Sequence, residues 1–464
     1  MGIMKPGLYD KNNNLIKSWD ELFNLGFNIR KDYKHPLLGD TENKYPYSIL
    51  NKFKDAYKLI LPKDILSVGN YAFYKCNLSE IILNENLITI GYGSFYRSNI
   101  KSITIPKNTR SISSGAFEEC NNLEEIIIEA PIKNIHKNTF LNCKKINSIV
   151  LPNTIKTIDE RAFCNCISLK NIKLPENIEE LGTNVFSYCA NLEEIKIPEK
   201  VKEIRQYTFY NCINLKKILL PKSLEYIRED VFTNCCKLEK IFIPEKIATI
   251  DKNAFKGCEM LSEINVSADN KNLTSLNGVL FSGDFKYLIK YPTAKKDKTY
   301  TVPDSVETLA KRAFEDVSSL EKINLPKKLN CIESSCFYEC KNLKSIILPD
   351  NITILNDLTF NGCKSLEEIT LSKNLKHIRE FVFTGCCNLK KITIPDSVKR
   401  IDPNALVISG VEEIYVSKKW AEENNFFVKM YDSLIKFEKT LDDILDEGKS
   451  FKEINNLYKN NLIK

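Results

Sequence analysis

The sequence predicts a β-rich solenoid of about 14 coils. Two observations support this fold class: Phe residues recur every 22 or 23 positions, and short alternating apolar segments keep the same phase between them. A fixed period in the twenties is typical of repeats that bury a shared core against their neighbours. The recurring Phe residues, called anchors below, are Phe73, Phe95, Phe117, Phe140, Phe163, Phe186, Phe209, Phe232, Phe255, Phe314, Phe337, Phe360 and Phe383, and Leu406 keeps the phase one coil further.

Each repeat contains one short strand and a sharp corner. Residues 172–174 alternate in hydrophobicity, which is typical of a strand with one buried face. Pro175 then ends the strand, because proline lacks the N–H that a continuing ladder needs. Eleven of the 17 prolines occupy this corner. A second apolar pair, Ile178 and Leu181, predicts either a second strand or a tight turn.

The two ends of the chain depart from the repeat. We expect residues 1–58 to form a small N-terminal cap over the first coil, with Ser18 and Glu21 spaced as a helix capping box. Residues 417–464 contain apolar spacings that predict two amphipathic helices, the first containing Leu434 and Phe437 and the second beginning at Phe451, after Gly448 interrupts the pattern. These helices either cap the last coil or serve as a docking or oligomerising element.

The order of residues within each coil is similar to that of a known family. Residues 192–198, 201–204 and 254–258 show the order Leu-x-x-Ile-x-Ile-Pro, Val-x-x-Ile and Ala-Phe with a following Cys. This order resembles the BspA-type leucine-rich repeats, and the resemblance covers about residues 59–416. Residues 264–303 resemble the family's expanded coil with a protruding hairpin, in which Gly283 and Asp284 supply the turn. The resemblance implies surface attachment or other protein binding.

The composition argues against several classes of partner. The net charge of +7 is spread along the chain, so no basic patch for nucleic acid is expected. Nowhere do about 18 consecutive residues stay apolar, so no membrane span is expected. No apolar run of signal-peptide length follows Met1, which favours a cytoplasmic, reducing location over a cell surface or virion.

The cysteines follow the repeat rather than a metal-binding spacing. Eleven of the 16 lie three residues after an anchor and predict an inward ladder of small side chains. Neighbours in this ladder would lie within the range of disulfide geometry, so oxidation is an alternative, but the expected reducing location favours free thiols. The pairs Cys235-Cys236 and Cys386-Cys387 are adjacent and lack the spacing of a zinc site, so no metal or cofactor is expected. The eleven are Cys76, Cys120, Cys143, Cys166, Cys189, Cys212, Cys235, Cys258, Cys340, Cys363 and Cys386.

The residues that usually carry catalysis are few and scattered. His136 and His377 occupy different phases of distant coils, so they do not assemble a nucleophile with its base. His35 lies in the predicted N-terminal cap. Glu176 and Glu199 share a phase, but nearby lysines favour a solvated charged face over a glycosidase-like pair. We therefore expect no catalytic site.

One row of residues stands out as a candidate binding face. The outward residue between the two apolar strand positions is polar in several coils but apolar in five others. Contiguous exposed apolar area usually marks a contact site, so the row predicts binding of a protein or a glycan. Alternatively, the N-terminal cap, the hairpin or the C-terminal helices cover this row. A second hypothesis for the function is a structural component of a viral or cell-surface assembly, attached through the C-terminal helices. The five residues are Ile127, Val150, Leu219, Phe242 and Ile347.

Overall fold

The structure is a computed structural model that describes residues 4–25 and 50–437. Its contacts divide the chain into two compact units, Met1–Asn272 and Leu273–Lys464, called unit 1 and unit 2. In both units the chain winds through repeated coils. Each regular coil has a strand on a front face, a shorter strand on a back face, and a turn that carries the anchor.

The front face is a parallel sheet in which equivalent residues of successive coils pair in register. In unit 1, Ile126 pairs with Ile103 on one side and Ile149 on the other, and all three are buried. Isolated bridges at residues 171–173 continue the row between Ser148–Val150 and Glu194–Lys196. The strands of unit 1 are Ala56–Ile60, Glu80–Ile82, Ser102–Ile105, Glu125–Ile128, Ser148–Val150, Glu194–Lys196, Lys217–Leu219, Lys240–Ile243 and Glu263–Val266. Those of unit 2 are Thr299–Thr301, Lys322–Asn324, Ser345–Ile347, Glu368–Thr370, Lys391–Thr393, Glu413–Val416 and Ile435–Phe437.

The sequence left open whether the second apolar pair of each repeat, such as Ile178 and Leu181, forms a strand or a tight turn. In the structure, this part of the coil contains a strand of two residues on the back face. In Glu180–Leu181, Leu181 is buried and pairs with Ile158 of the preceding coil. The unit 1 strands are Ser67–Val68, Thr89–Ile90, Ser111–Ile112, Asn134–Ile135, Thr157–Ile158, Glu180–Leu181, Glu203–Ile204, Tyr226–Ile227 and Thr249–Ile250. The unit 2 strands are Thr308–Leu309, Cys331–Ile332, Ile354–Leu355, His377–Ile378 and Arg400–Ile401.

The anchor turns form the third side of each coil, and the anchor side chains fill the core behind them. All thirteen predicted Phe anchors are buried, and so is Leu406. In unit 1 their rings stack in order; Phe163 lies 5.3 Å from Phe140 and 5.7 Å from Phe186 between centroids. Residues two before and two after an anchor commonly adopt positive φ, as Asn138 and Asn142 do around Phe140. Asn tolerates this left-handed conformation better than most residues, which accounts for its use beside the anchors.

The cysteine ladder lies beside the anchors and is confirmed as inward-facing. All eleven cysteines of the ladder are buried, and every cysteine in the described residues is a free thiol. Most of these thiols donate a hydrogen bond to an anchor's carbonyl oxygen in the preceding coil; Cys166 donates to Phe140 at 3.2 Å. The ladder therefore satisfies backbone acceptors that the turn leaves inside the core.

The N-terminal cap covers the first coil by extending its sheet. Strand Gly7–Asp10 pairs antiparallel with both Leu15–Ser18 and Ala56–Ile60. Helix Trp19–Asn24 follows, and its predicted capping box is present: Glu21 N–H donates to Ser18 Oγ, and Ser18 N–H donates to the Glu21 carboxylate at 2.7 Å. This arrangement pairs a sheet edge that would otherwise be open.

Unit 2 begins with a three-stranded antiparallel meander, Leu273–Leu276, Val279–Ser282 and Tyr287–Lys290. The turn at residues 283–284 closes with a hydrogen bond from Phe285 N–H to Ser282 O of 2.9 Å. The first strand of the meander did not stand out from the sequence. Tyr291 then takes the anchor position and stacks on Phe314 at 5.2 Å.

The C-terminal end differs from the sequence-based expectation. Helices Lys418–Glu423 and Asn425–Met430 precede the predicted start, and Asp432–Leu434 is a short 3₁₀ helix. The expected helix at Leu434 and Phe437 is wrong, because Ile435–Phe437 is a strand paired in parallel with Glu413–Val416. The open sheet edge supplies hydrogen-bond partners that outweigh the local helical pattern. The remainder of both predicted helices lies outside the described residues.

The solenoid class is confirmed, although the coil count is not the same. Residues 50–437 make about 17 turns rather than about 14. The sequence-based count used anchors, whereas front strands such as Glu263–Val266 and Glu413–Val416 are not followed by a Phe at the anchor position. Such turns are invisible to a search for the recurring aromatic residue.

Candidate interaction surface

The five predicted binding residues all lie on the front face with their side chains exposed. The exposed fractions are 43% for Ile127, 74% for Val150, 49% for Leu219, 57% for Phe242 and 70% for Ile347. Their strand neighbours Ile126, Ile149, Ile218, Ile241 and Ile346 are buried. This alternation follows from the pleat of a strand, which sends successive side chains to opposite faces. No part of the chain that the structure describes buries the row.

Two apolar patches form on unit 1. Val150 pairs with Ile127 in register, so their side chains are cross-strand neighbours. Leu219 and Phe242 occupy the same position on two successive strands, Lys217–Leu219 and Lys240–Ile243. Lys173 and Lys196, also exposed, separate the two patches along the row. Each patch is therefore short, with a polar border.

Ile347 is the single predicted residue that lies in unit 2. It pairs with Thr370, and the equivalent position on the preceding strand is Asn324. Both neighbours are polar and exposed. Ile347 is thus an isolated apolar side chain rather than part of a patch.

The first patch extends further than the sequence argument placed it. Ile82 is 38% exposed and holds the same strand position two coils before Ile127. Thr104 lies between them and pairs with Ile127. The sequence could have predicted Ile82 as well, because it occupies the same position within the repeat as the other five residues. The resulting row of β-branched side chains runs from Ile82 to Val150.

Ion pairs within the chain lie beside the patches. Lys196 binds Glu176 at 2.8 Å, and this hydrogen bond raises the pKa of Lys196. Hydrogen bonds from Lys216 and Lys170 lower the pKa of Glu193. Both arrangements keep the groups charged at neutral pH. An apolar centre with a charged, solvated rim is the usual anatomy of a protein contact surface.

The carboxylates considered for catalysis are engaged with these neighbours. Glu176 accepts a hydrogen bond from Lys196, and Glu199 accepts one from the backbone N–H of Lys222 at 3.2 Å. Of the histidines, His136 Nδ1 lies 3.1 Å from an Asp159 carboxylate oxygen, and His35 lies outside the described residues. These contacts are those of a solvated charged surface.

The in-register coils, the buried anchors and the short front strands define a leucine-rich repeat solenoid. The chain belongs to the BspA type leucine rich repeat family, whose model matches residues 49–167, 133–262 and 293–411 in 6 copies. No curated protein gives a significant match to the sequence. None of the helices in residues 4–25 and 50–437 is long and apolar enough to cross a membrane.

Solved structures share this fold. One is a leucine rich cell surface protein from Faecalibacterium prausnitzii, which is 24% identical with a TM-score of 0.59 and aligns over 79% of this chain and 92% of its own. Another is a leucine-rich repeat protein from Bacteroides ovatus, 25% identical with a TM-score of 0.50, aligned over 82% of this chain and 91% of its own. Membership of this repeat family suggests that the protein is a scaffold for protein interaction.

Proposed function

We propose that the protein is a non-enzymatic scaffold whose front face in unit 1 binds a protein or glycan partner. The observation that carries this proposal is the exposure of the outward row, above all Val150 and Phe242, beside strand neighbours that are fully packed. Contiguous exposed apolar side chains lower solubility, so such a surface usually marks an interaction site.

The shape of the surface supports a macromolecular partner over a small molecule. A parallel sheet held in register by buried isoleucines presents its outward side chains in fixed positions. A preorganised surface loses little conformational entropy on binding. The two patches formed by Ile127 with Val150 and by Leu219 with Phe242 then act as apolar contact centres, while Lys173 and Lys196 between them supply polar contacts.

The test compares three double variants in the capture of partners from the native source. Ile127→Ser with Val150→Ser, and Leu219→Ser with Phe242→Ser, each remove one patch. Ile167→Ser with Ile213→Ser is the matched control, because both residues are exposed isoleucines of unit 1 outside the front face. We expect one or both patch variants to lose a partner that the wild type and the control retain.

The same experiment identifies the class of the partner. Protease treatment of the source material before capture removes a protein partner, whereas glycosidase treatment removes a glycan partner. Equal capture by the wild type and both patch variants would contradict the proposal. So would equal loss in the control, because that result would indicate general apolar adhesion rather than a specific face.

A further inference from the structure

Four exposed side chains lie in register along the first patch of unit 1. Ile82, Thr104, Ile127 and Val150 hold the same outward position on four successive front strands. All four are β-branched, so each has few side-chain rotamers to lose when it makes a contact. Buried isoleucines on the opposite side of the same strands hold the row in place. The row is therefore a rigid surface of side chains of similar size, which can pack against another such row.

Three charged residues beside this row have no bound counter-charge. Lys101, Glu124 and Glu125 are exposed, and none forms an ion pair or a side-chain hydrogen bond within the described part of the chain. Lys101 and Glu124 hold the same position on adjacent coils, yet their side chains do not join. Elsewhere on this face such neighbours do pair, as Lys240 and Glu263 do at 2.6 Å. The three groups are thus available to a second molecule.

We propose that the first patch binds a second copy of this chain, related to the first by a two-fold axis parallel to the front strands. The proposal rests on the proposed function, because it names the partner of one of the two front-face patches. Under this symmetry the facing strands run in the same direction, while the order of the coils is reversed. A two-fold interface uses the same surface on both molecules, so each contact occurs twice.

The reversed order places the apolar row against itself. The axis lies midway along the row, between Thr104 and Ile127, so each of these residues faces the other in the second copy. At the two ends of the row, Ile82 faces Val150 in the same way. Sheets that pack face to face lie about 10 Å apart, and outward side chains of this size fill that space from both sides.

The same axis pairs the free charges. Lys101 and Glu124 hold equivalent positions on the two central coils, so Lys101 of each copy faces Glu124 of the other. Opposite charges across an interface favour the correct partner and fix its orientation. Ser102 and Glu125 are related in the same way, and the Ser102 hydroxyl is a donor suited to the Glu125 carboxylate. Complementary groups therefore meet along both central strands.

The charge pattern disfavours the other symmetric arrangements of this face. A two-fold axis along the row would place Glu125 opposite Glu129, which is exposed at the corner of the same coil. The second patch, packed on itself in the manner proposed for the first, would place Lys217 opposite Lys240. Like charges that face each other across an interface suppress association. The pattern therefore selects the first patch and one axis.

The size of the first patch predicts a weak, reversible dimer. Four strands at a spacing of about 4.8 Å give a row about 15 Å long. A stable complex usually buries about 800 Å² on each partner, which is more than a row of this length provides. We therefore expect monomer and dimer to coexist, in an equilibrium that depends on protein concentration and on salt, because salt screens the charges beside the row.

Analytical ultracentrifugation of the full chain over a range of concentrations measures this equilibrium. Lys101→Glu and Glu124→Lys should each weaken dimerisation about tenfold or more, because each places like charges across the axis. The two substitutions together should restore the dimer, because the copies again present opposite charges to each other. Lys217→Glu is the matched control, since it reverses one charge on the same face outside the first patch. We expect it to change the dissociation constant by less than about twofold.

Ile127→Ser with Val150→Ser tests the apolar row and should abolish the dimer, while melting temperatures check that each variant folds. A wild type that stays monomeric, a dimer that survives this double variant, or a combined charge swap that fails to restore association would overturn the proposal. The partner-capture experiment keeps the two proposals apart. A monomeric wild type whose patch variants still lose a captured partner contradicts the dimer alone. A dimer with equal capture by all variants contradicts only the binding of a different partner.

Discussion

The thiol of Cys143 donates a hydrogen bond of 3.0 Å to the carbonyl oxygen of Phe117, the anchor of the preceding coil. The contact joins the cysteine ladder to the stack of anchors, and most of the ladder thiols satisfy a carbonyl of the anchor turn in the same way. Burial raises the pKa of Cys143 well above its usual range. A buried thiol that is protonated and already hydrogen-bonded is a poor nucleophile and a poor disulfide partner.

The first prediction concerns access to these thiols. Native protein should react with only a few equivalents of an aromatic disulfide reagent, beginning with the exposed Cys387, whereas denatured protein should react with nearly all 16 thiols. The measurement is a thiol titration with and without denaturant, in the absence of reductant. If denatured protein gave almost no reaction, the ladder would be oxidised and the reducing compartment expected from the sequence would be wrong.

The second prediction follows from the same burial. Burial raises the pKa of Cys76 to about 12 and that of Cys386 to about 12, whereas a thiol of the unfolded chain has a pKa of about 8.5. Above pH 8.5 or so the unfolded chain loses protons that the folded chain keeps, so unfolding becomes more favourable until about pH 12. Stability should therefore be constant with respect to these thiols below about pH 8 and should fall at higher pH.

Denaturant unfolding in reductant at pH 7, 9 and 10.5 tests this dependence. Replacing Cys76 and Cys386 with Ala should make the decline less steep, whereas replacing the exposed Cys387 should leave it unchanged. An equally steep decline in all variants would show that other groups, such as lysines and tyrosines, cause the alkaline loss of stability.

The third prediction contrasts two phenylalanines of unit 1. Phe209 stacks between Phe186 and Phe232, at 5.7 and 6.0 Å between ring centroids, and is fully buried. Phe209→Ala should cost about 3–5 kcal/mol, because it leaves a cavity in the ring stack. Phe242→Ala makes the same chemical change on the exposed row and should cost about 0.5 kcal/mol or less. Urea denaturation measures both, and equal costs would mean that Phe242 is covered in solution.

The repeat phase predicted the elements that every coil shares. Position within the coil was enough to place Phe209 inside and Phe242 outside, because the anchor turn and the two-residue alternation are local and recur unchanged. The phase also placed Cys143 in the core, although it did not reveal the hydrogen bond to Phe117, which joins residues 26 positions apart on neighbouring coils.

The elements that the sequence could not predict depend on contacts between coils or at the ends of the sheet. Ile435–Phe437 has a helical pattern, yet it forms a strand because a sheet edge lies beside it.

The fourth prediction concerns the C-terminal cap of unit 2. Trp420 is buried, and its indole Nε1–H donates to Val398 O at 2.7 Å. Trp420→Ala should cost about 3–5 kcal/mol of unit 2 stability. Trp420→Phe keeps most of the apolar contact but leaves the Val398 carbonyl unpaired, so it should cost about 1–3 kcal/mol. Thermal unfolding of both variants checks the order, and a Phe variant as unstable as the Ala variant would show that the hydrogen bond dominates.

The last prediction separates stability from binding on the front face. Leu219 and Phe242 are about half exposed, while Ile218 and Ile241 beside them fill the core. Replacing Leu219 and Phe242 together with Ser should hardly change the melting temperature, because serine in their place leaves no cavity and remains solvated. The double variant should nevertheless lose affinity for the partner captured by the wild type. Calorimetry of unfolding is the decisive measurement: a double variant that melts as early as Phe209→Ala would show that the row packs against another part of the protein, and the front face would no longer stand as a binding surface.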